Sequence, residues 1–248
     1  MSIIDERYEA ICQAWKGKGA KTARELADLL DEYKISFAYN SGKIENQAIT
    51  YHDTRSIFES GTVSGFSGDP RALFEIQNQR ECHDVLLDAF ERKLPLDEAL
   101  LLNTHRTLTQ GTYDKRRWER GERPGNYKTH DYVVGVADVG VPAKDVPAAV
   151  AGLLAEIEVA DELNALTVAA YFHLSLESIH PFADGNGRVG RALMNYLFVC
   201  NGHPPVIIFE KDRLAYYGAI EAWDESGDLA PMREFLKIET IKTWDGRR

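Results

Sequence analysis

The chain has 248 residues, of which 44% are hydrophobic and 27% charged, with a formal net charge of -10 and a pI near 5.2. That length buries one substantial core and admits one large domain or two small ones. The negative balance repels polyanions and excludes a protein that tracks a nucleic-acid backbone, so any phosphate-bearing ligand must be held in a local pocket.

At the N-terminus, residues 1–16 mix Asp5, Glu6, Arg7 and Glu9 with apolar residues, so the segment lacks the uncharged run of a signal peptide. No stretch approaches the roughly 18 apolar residues of a membrane span, and no membrane partner is expected. The three cysteines, Cys12, Cys82 and Cys200, are odd in number and widely spaced, which suggests neither a disulfide framework nor a zinc ribbon. A reducing cytoplasm is the expected setting.

Along the chain, apolar residues recur at helical spacing, as in Leu26, Leu29, Leu30 and Tyr33 and again in Leu100, Leu101 and Leu108. The chain reads as mainly α. Thr50 with Asp53 resembles a capping box, Asp69 with Pro70 reads as N-cap and first helical residue, and Asp97 reads as the cap of a helix from Glu98. Gly61 and Gly111 stand where helices should stop. Between Gly125 and Pro142 the period breaks: Tyr132, Val133, Val134, Val136, Val139 and Val141 cluster around Gly135 and Gly140, the pattern of a hairpin. Composition alone leaves open whether this hairpin merely connects helices. Helical pattern resumes near Asp145, and there is neither an internal repeat nor a low-complexity tract.

The most informative stretch runs from His180 to Arg191, HPFADGNGRVGR, between a helical run over Thr167–Ile179 and another in which Val189, Leu193, Tyr196, Leu197 and Cys200 recur at helical spacing. The second run starts at Arg188 and is ended by Asn201-Gly202 and Pro204-Pro205. A Gly-Asn-Gly turn opening a helix aims unpaired N–H groups at one point, and the helix dipole adds positive charge there, so an anion is favoured. Arg188 and Arg191, three residues apart, can clamp further phosphate oxygens. An acidic Asp184 beside them makes sense if Mg²⁺ stands between it and phosphate, and His180 is placed as a base. Singly, each feature has an ordinary explanation: Asp-Gly and Asn-Gly are turn dipeptides, paired arginines are usually a solvated face, and a histidine ending a helix is usually a cap. Together, and in this order, they describe a phosphate site.

At these residues the sequence resembles the Fic family, whose signature HxFx(D/E)GNGRxxR it matches at every specified position. The resemblance runs from roughly Pro70 to Phe235, through Asn103–Gly111, Gly125-Asn126-Tyr127-Lys128, and Ala170 with His173. Lys128 stands where relatives more often carry arginine. The resemblance implies a Fic-type helical bundle with a β-hairpin flap, residues 66–248 forming the Fic domain with its flap at about 128–142. It implies that AMP passes from ATP to a Ser, Thr or Tyr hydroxyl of a protein target. Fic-like Doc kinases lack the second glycine of the turn, so Gly187 favours nucleotidyl over phosphoryl transfer. By resemblance, His180 is the general base and Asp184 holds the Mg²⁺ bridging the α and β phosphates. Gly185, Asn186 and Gly187 form the anion cradle, and Arg188 and Arg191 grip the β and γ phosphates. Phe182 is core beneath the loop, His173 packs against it, and Tyr132, Val133 and Val134 lie in the flap that docks an extended target by backbone pairing.

Upstream, residues 1–65 form an N-terminal helical region in which Ser41-Gly42-Lys43-Ile44-Glu45-Asn46 fits the inhibitory motif (S/T)xxxE(G/N) of autoinhibited Fic proteins, within a segment of about 37–46. The plain alternative is a helix end with Glu45 exposed and Asn46 as C-terminal cap. With the signature present the regulatory reading is favoured: Ser41, Glu45 and Asn46 form a brake, the Glu45 carboxylate occupying the guanidinium of Arg191. The same site can instead support removal of AMP from a modified protein, or the chain can be an idle partner-binding Fic module; the intact His180, Asp184 and arginines speak against the last. A homo-oligomer is compatible with this sequence, and no nucleic-acid partner is expected.

Overall fold

The computed structural model describes residues 2–134, 137–159 and 164–246. Twelve α-helices are found among them: α1 (Ile3–Lys18), α2 (Ala23–Leu29), α3 (Asp31–Glu45), α4 (Tyr51–Ser60), α5 (Pro70–Glu91), α6 (Glu98–Thr109), α7 (Lys115–Glu119), α8 (Val146–Glu158), α9 (Ala165–Ile179), α10 (Asn186–Cys200), α11 (Arg213–Ser226) and α12 (Ala230–Trp244). The protein is mainly α, as the periodicity predicts. None of the described helices is long and apolar enough to cross a membrane.

Local sequence sets most of the boundaries. Thr50 accepts the Asp53 N–H, Asp97 that of Leu100, and Asp69 that of Arg71 with Pro70 as the first helical residue, each satisfying a donor the helix cannot. Gly61 stops α4 in the left-handed conformation. Two boundaries differ from expectation. The apolar run Leu26, Leu29, Leu30 and Tyr33 straddles a break, because Leu30 (φ -99°, ψ 7°) ends α2 and opens α3; periodicity survives since both pieces bury the same face. α10 begins at Asn186 rather than Arg188, with Gly185 (φ 89°) as its N-cap, a conformation glycine adopts without strain.

The centre of the fold is the pair α9–α10, flanked by α5 and α6, α8, and the C-terminal helices α11 and α12. Phe172, Leu176, Phe182, Val189, Leu193 and their neighbours fill one side of it, and Leu174, Met194, Phe198, Tyr216 and Leu236 the other. The N-terminal helices share a core with the C-terminus: Trp15 and Tyr33 pack on Trp244, with ring centroids 5.0 and 6.0 Å apart. α3 therefore lies against α5 and α10 and brings Ser41 and Glu45 to the start of α10.

Outside the helices, β1 (Tyr132–Val134) pairs antiparallel with β2 (Ala137–Val139), Tyr132 opposite Val139 and Val134 opposite Ala137. The turn expected at Gly135 and Val136 lies outside the described residues, as do the side chains of residues 133–139.

Candidate active site

The His180–Arg191 loop joins α9 to α10 and is fixed by its own residues. Phe182 is fully buried, its ring stacked on His105 at 3.7 Å. Asn186 closes a reciprocal pair with the Phe182 backbone, Oδ1 accepting the N–H at 2.9 Å and Nδ2 donating to the carbonyl at 2.8 Å. The Asn186 side chain is thus spent on shaping the turn, and its contribution to an anion site is its backbone. Val189 N–H makes the first bond of the helical ladder, to Gly185, and no side chain caps α10. The N–H groups of Asn186, Gly187 and Arg188 consequently point out of the helix end, a site suited to an anion.

His180 ends α9 at φ 50°, ψ 61°, a left-handed conformation that costs a non-glycine residue energy and is held by its neighbours. Those neighbours are identifiable: Lys128 N–H donates to the Pro181 carbonyl at 2.8 Å, and Val141 N–H to the Ile179 carbonyl at 2.9 Å. Gly140 passes so close that a Cβ there would lie 2.4 Å from the His180 Cβ. The exit of the strand pair is therefore clamped onto the histidine. Burial, and after it the charge of Lys128, lowers the His180 pKa, so the imidazole is neutral at pH 7 and able to accept a proton.

Asp184 sits among three guanidinium groups. Arg71 Nη2 donates to Oδ2 at 2.6 Å, Arg188 Nη2 donates to Oδ1 at 3.0 Å, and Arg117 Nη2 stands 3.7 Å from Oδ2. Burial works to raise the Asp184 pKa, but Arg188, Arg71 and Arg117 hold it below the usual value. As to Mg²⁺, no cluster of three or more His, Cys, Asp or Glu gathers among the described residues. One ionised carboxylate is nevertheless the donor set of a Mg²⁺ that brings its other ligands as phosphate oxygens and water. The residues fit a nucleotide-borne Mg²⁺, provided that a guanidinium turns aside from Asp184.

Arg191 is buried at 1% exposure and held by α3. Its Nε donates to Ser41 Oγ at 3.0 Å, and its Nη2 to the Ser41 carbonyl and to Glu45 Oε1, both at 2.9 Å. Burial opposes its charge, while Glu45, Tyr216 and Glu177 hold the pKa up. Glu45 Oε1 also presses on the turn, 2.5 Å from where a Cβ of Gly187 would stand. Asn46 follows as the expected C-cap but in extended conformation (φ -134°), its Nδ2 donating to Glu75 Oε2 at 2.7 Å. The other oxygen of Glu75 accepts from Arg71 Nε at 2.9 Å and lies 3.3 Å from Arg188 Nη1, near enough for attraction but off the line of a hydrogen bond.

Glu45, Glu177, His180, Asp184, Gly187 and Arg191 line one polar cleft of about 250 Å³, open to solvent. A second cavity, between Tyr33, Phe37 and Cys82, is walled mostly by hydrocarbon, with Lys34, Gln79, His83 and Asn195 at its edge but no carboxylate or arginine. Of the expected flap residues, Tyr132 donates its hydroxyl to the buried Glu122 at 2.9 Å; Val133 and Val134 continue β1. His173 is fully buried against Tyr216, Nε2 to hydroxyl 2.7 Å, and lies beneath Gly190.

Fold and site together define a Fic-domain protein, and the chain belongs to the Fic/DOC family, whose model matches residues 95–198. The protein adenylyltransferase Fic of Drosophila persimilis is 34% identical over 252 residues, covering 99% of this chain and 46% of that protein. The chain spans about half the length of the curated relatives it matches. A Fic-domain-containing signaling protein from Bacteroides thetaiotaomicron superposes with a TM-score of 0.78 at 23% identity, over 96% of this chain and 93% of that one. A Fic-1 fragment from C. elegans gives 0.79 at 21%, over 97% and 70%. At these identities the structural likeness speaks to the fold.

Six residues of the site escaped the sequence: Arg71, Glu75, His105, Arg117, Glu177 and Tyr216. His105 carries its loop partner from α6, accepting the Gly125 N–H at Nδ1 and donating from Nε2 to the Asp184 carbonyl at 3.1 Å. It lies within the Asn103–Gly111 landmark, the one signal that pointed its way.

Proposed function

We propose that this protein is an adenylyltransferase that moves AMP from ATP to a Ser, Thr or Tyr hydroxyl of a protein target, itself included, and that Glu45 holds it inactive. Neutral His180 accepts the hydroxyl proton; the oxygen forms a bond to the α-phosphorus as the bond to the β-phosphate bridging oxygen breaks, and pyrophosphate leaves. Mg²⁺, held by Asp184, would neutralise phosphate charge. The outward N–H groups of residues 186–188 receive phosphate oxygens, Arg188 and Arg191 grip the distal phosphates, and the pair β1–β2 docks the target segment by backbone pairing.

The observation that carries this reading is the seat of Glu45, whose carboxylate occupies Arg191 and crowds Gly187. ATP must then bind with its γ-phosphate displaced, and a misplacement of about 1 Å costs on the order of a hundredfold in rate. In this reading residues 1–65 are the regulatory region and residues 66–248 the Fic domain. Incubating wild type, Glu45→Gly and Glu45→Gly/His180→Ala with Mg-ATP tests it: intact mass should rise by one or more adenylyl groups in Glu45→Gly, far less in wild type, and not at all in the double variant. Equal modification of wild type and Glu45→Gly would remove the brake, and modification of the double variant would remove His180 as base.

A further inference from the structure

We propose that Arg117, which lies outside the family signature, is a third arginine gripping the phosphate chain of the bound nucleotide. The inference rests on the adenylyltransferase reading above.

Arg117 lines the same cleft as His180, Gly187 and Arg191. It is held there by Asp114, whose Oδ1 accepts the Arg117 N–H at 2.8 Å and whose Oδ2 accepts from Nη1 at 3.0 Å. The rest of the guanidinium is under-used. Nη2 stops 3.7 Å short of Asp184 Oδ2, beyond hydrogen-bond reach, and the buried Nε has no partner among the described residues. A buried donor left unpaired is costly, and three guanidinium groups crowding one carboxylate leave cationic capacity unmatched in the cleft.

The partners of the other two arginines show which of the three is free to change. If Asp184 turns to a cation, Arg71 keeps its bond to Glu75 and Arg188 keeps its attraction to the same carboxylate. Arg117 keeps Asp114, which is 56% exposed and so a weakly desolvated partner, and the face of Tyr113 at 5.9 Å, neither of which uses its Nη2. A phosphate oxygen arriving beside Asp184 gives Arg117 the planar, charge-assisted bonds that Asp184 does not. Arg117 thus approaches Asp184 without nucleotide and transfers to phosphate with it.

Calorimetric titration of ATP, ADP and AMP into full-length Glu45→Gly, alone and with Arg117→Ala or Arg117→Lys, tests the assignment without reference to activity. Arg117→Ala should weaken ATP by about ten- to hundredfold, ADP less and AMP least, and Arg117→Lys should recover part of the ATP loss by restoring the charge. A merely structural residue would weaken the three nucleotides alike, and that outcome, or unchanged ATP affinity, overturns the proposal while leaving the adenylyltransferase reading intact. Failure of the Glu45→Gly parent to bind ATP overturns both.

Discussion

Arg191 Nη2 divides its reach between Glu45 Oε1 and the Ser41 carbonyl, each at 2.9 Å, so α3 holds the arginine through both its backbone and its acid. Removing Glu45 leaves the guanidinium its two Ser41 contacts and the Tyr216 hydroxyl at 3.5 Å but takes away its ion-paired carboxylate. A buried charge without its partner destabilises; since the Glu45 side chain is about a third exposed, the loss is on the order of 1–3 kcal/mol. Thermal melts of Glu45→Gly should show a lower Tm than wild type, recovered by ATP as a new partner for Arg191. An unchanged Tm would mean that the pair contributes nothing.

Asn46 fastens the end of α3 to Glu75. If Glu45 restrains transfer as proposed, Asn46→Ala should loosen that restraint without removing the carboxylate, raising basal self-modification above wild type yet below Glu45→Gly. Intact-mass time courses of the three proteins rank them, and a rank of Asn46→Ala at or below wild type would contradict the role of this contact.

Gly140 allows the chain to cross His180 at a distance no side chain permits, and it does so at φ +76°. Gly140→Ala must push either the strand exit or His180 aside. In the Glu45→Gly background transfer should fall about a hundredfold while ATP affinity stays within a few-fold, because the phosphate groups bind elsewhere. Loss of ATP binding instead would place the damage in the nucleotide site.

Glu177 is pushed up to about 7 from 4.5, first by burial, then by Glu45 and Asp224, against the pull of Arg191. Because the folded state holds its proton more tightly than the unfolded chain, the stability linked to Glu177 is present below about pH 4.5 and is lost as pH rises through about 7. Wild type should therefore lose stability relative to Glu177→Gln between those pH values, by about 1–2 kcal/mol allowing for partial exposure. Urea titrations across that range measure it; a difference independent of pH would show that Glu177 titrates normally.

The loop from His180 to Arg191 was legible because its chemistry is contiguous: turn, carboxylate, arginines and histidine occupy twelve successive positions on a helix junction. Ser41, Glu45 and Asn46 were legible through a short motif once the loop gave it meaning. Arg71, Glu75, Arg117 and Tyr216 were not, because their chemistry arises only when α5, α7 and α11 meet the Asp184 loop and the first turns of α10, a convergence without local periodicity. Asn186 shows the converse, a motif residue whose side chain turns out to build the loop it names. The break at Leu30 was hidden because two helices burying one face keep a single apolar rhythm.

The most direct measurement is the affinity of wild type and Glu45→Gly for Mg-ATP and Mg-ADP by calorimetry. If Glu45 excludes the γ-phosphate from Arg191, its removal should strengthen ATP by about tenfold or more and leave ADP nearly unchanged. Equal strengthening of both nucleotides, or of neither, would contradict the claim that the acid and the terminal phosphate compete for one guanidinium.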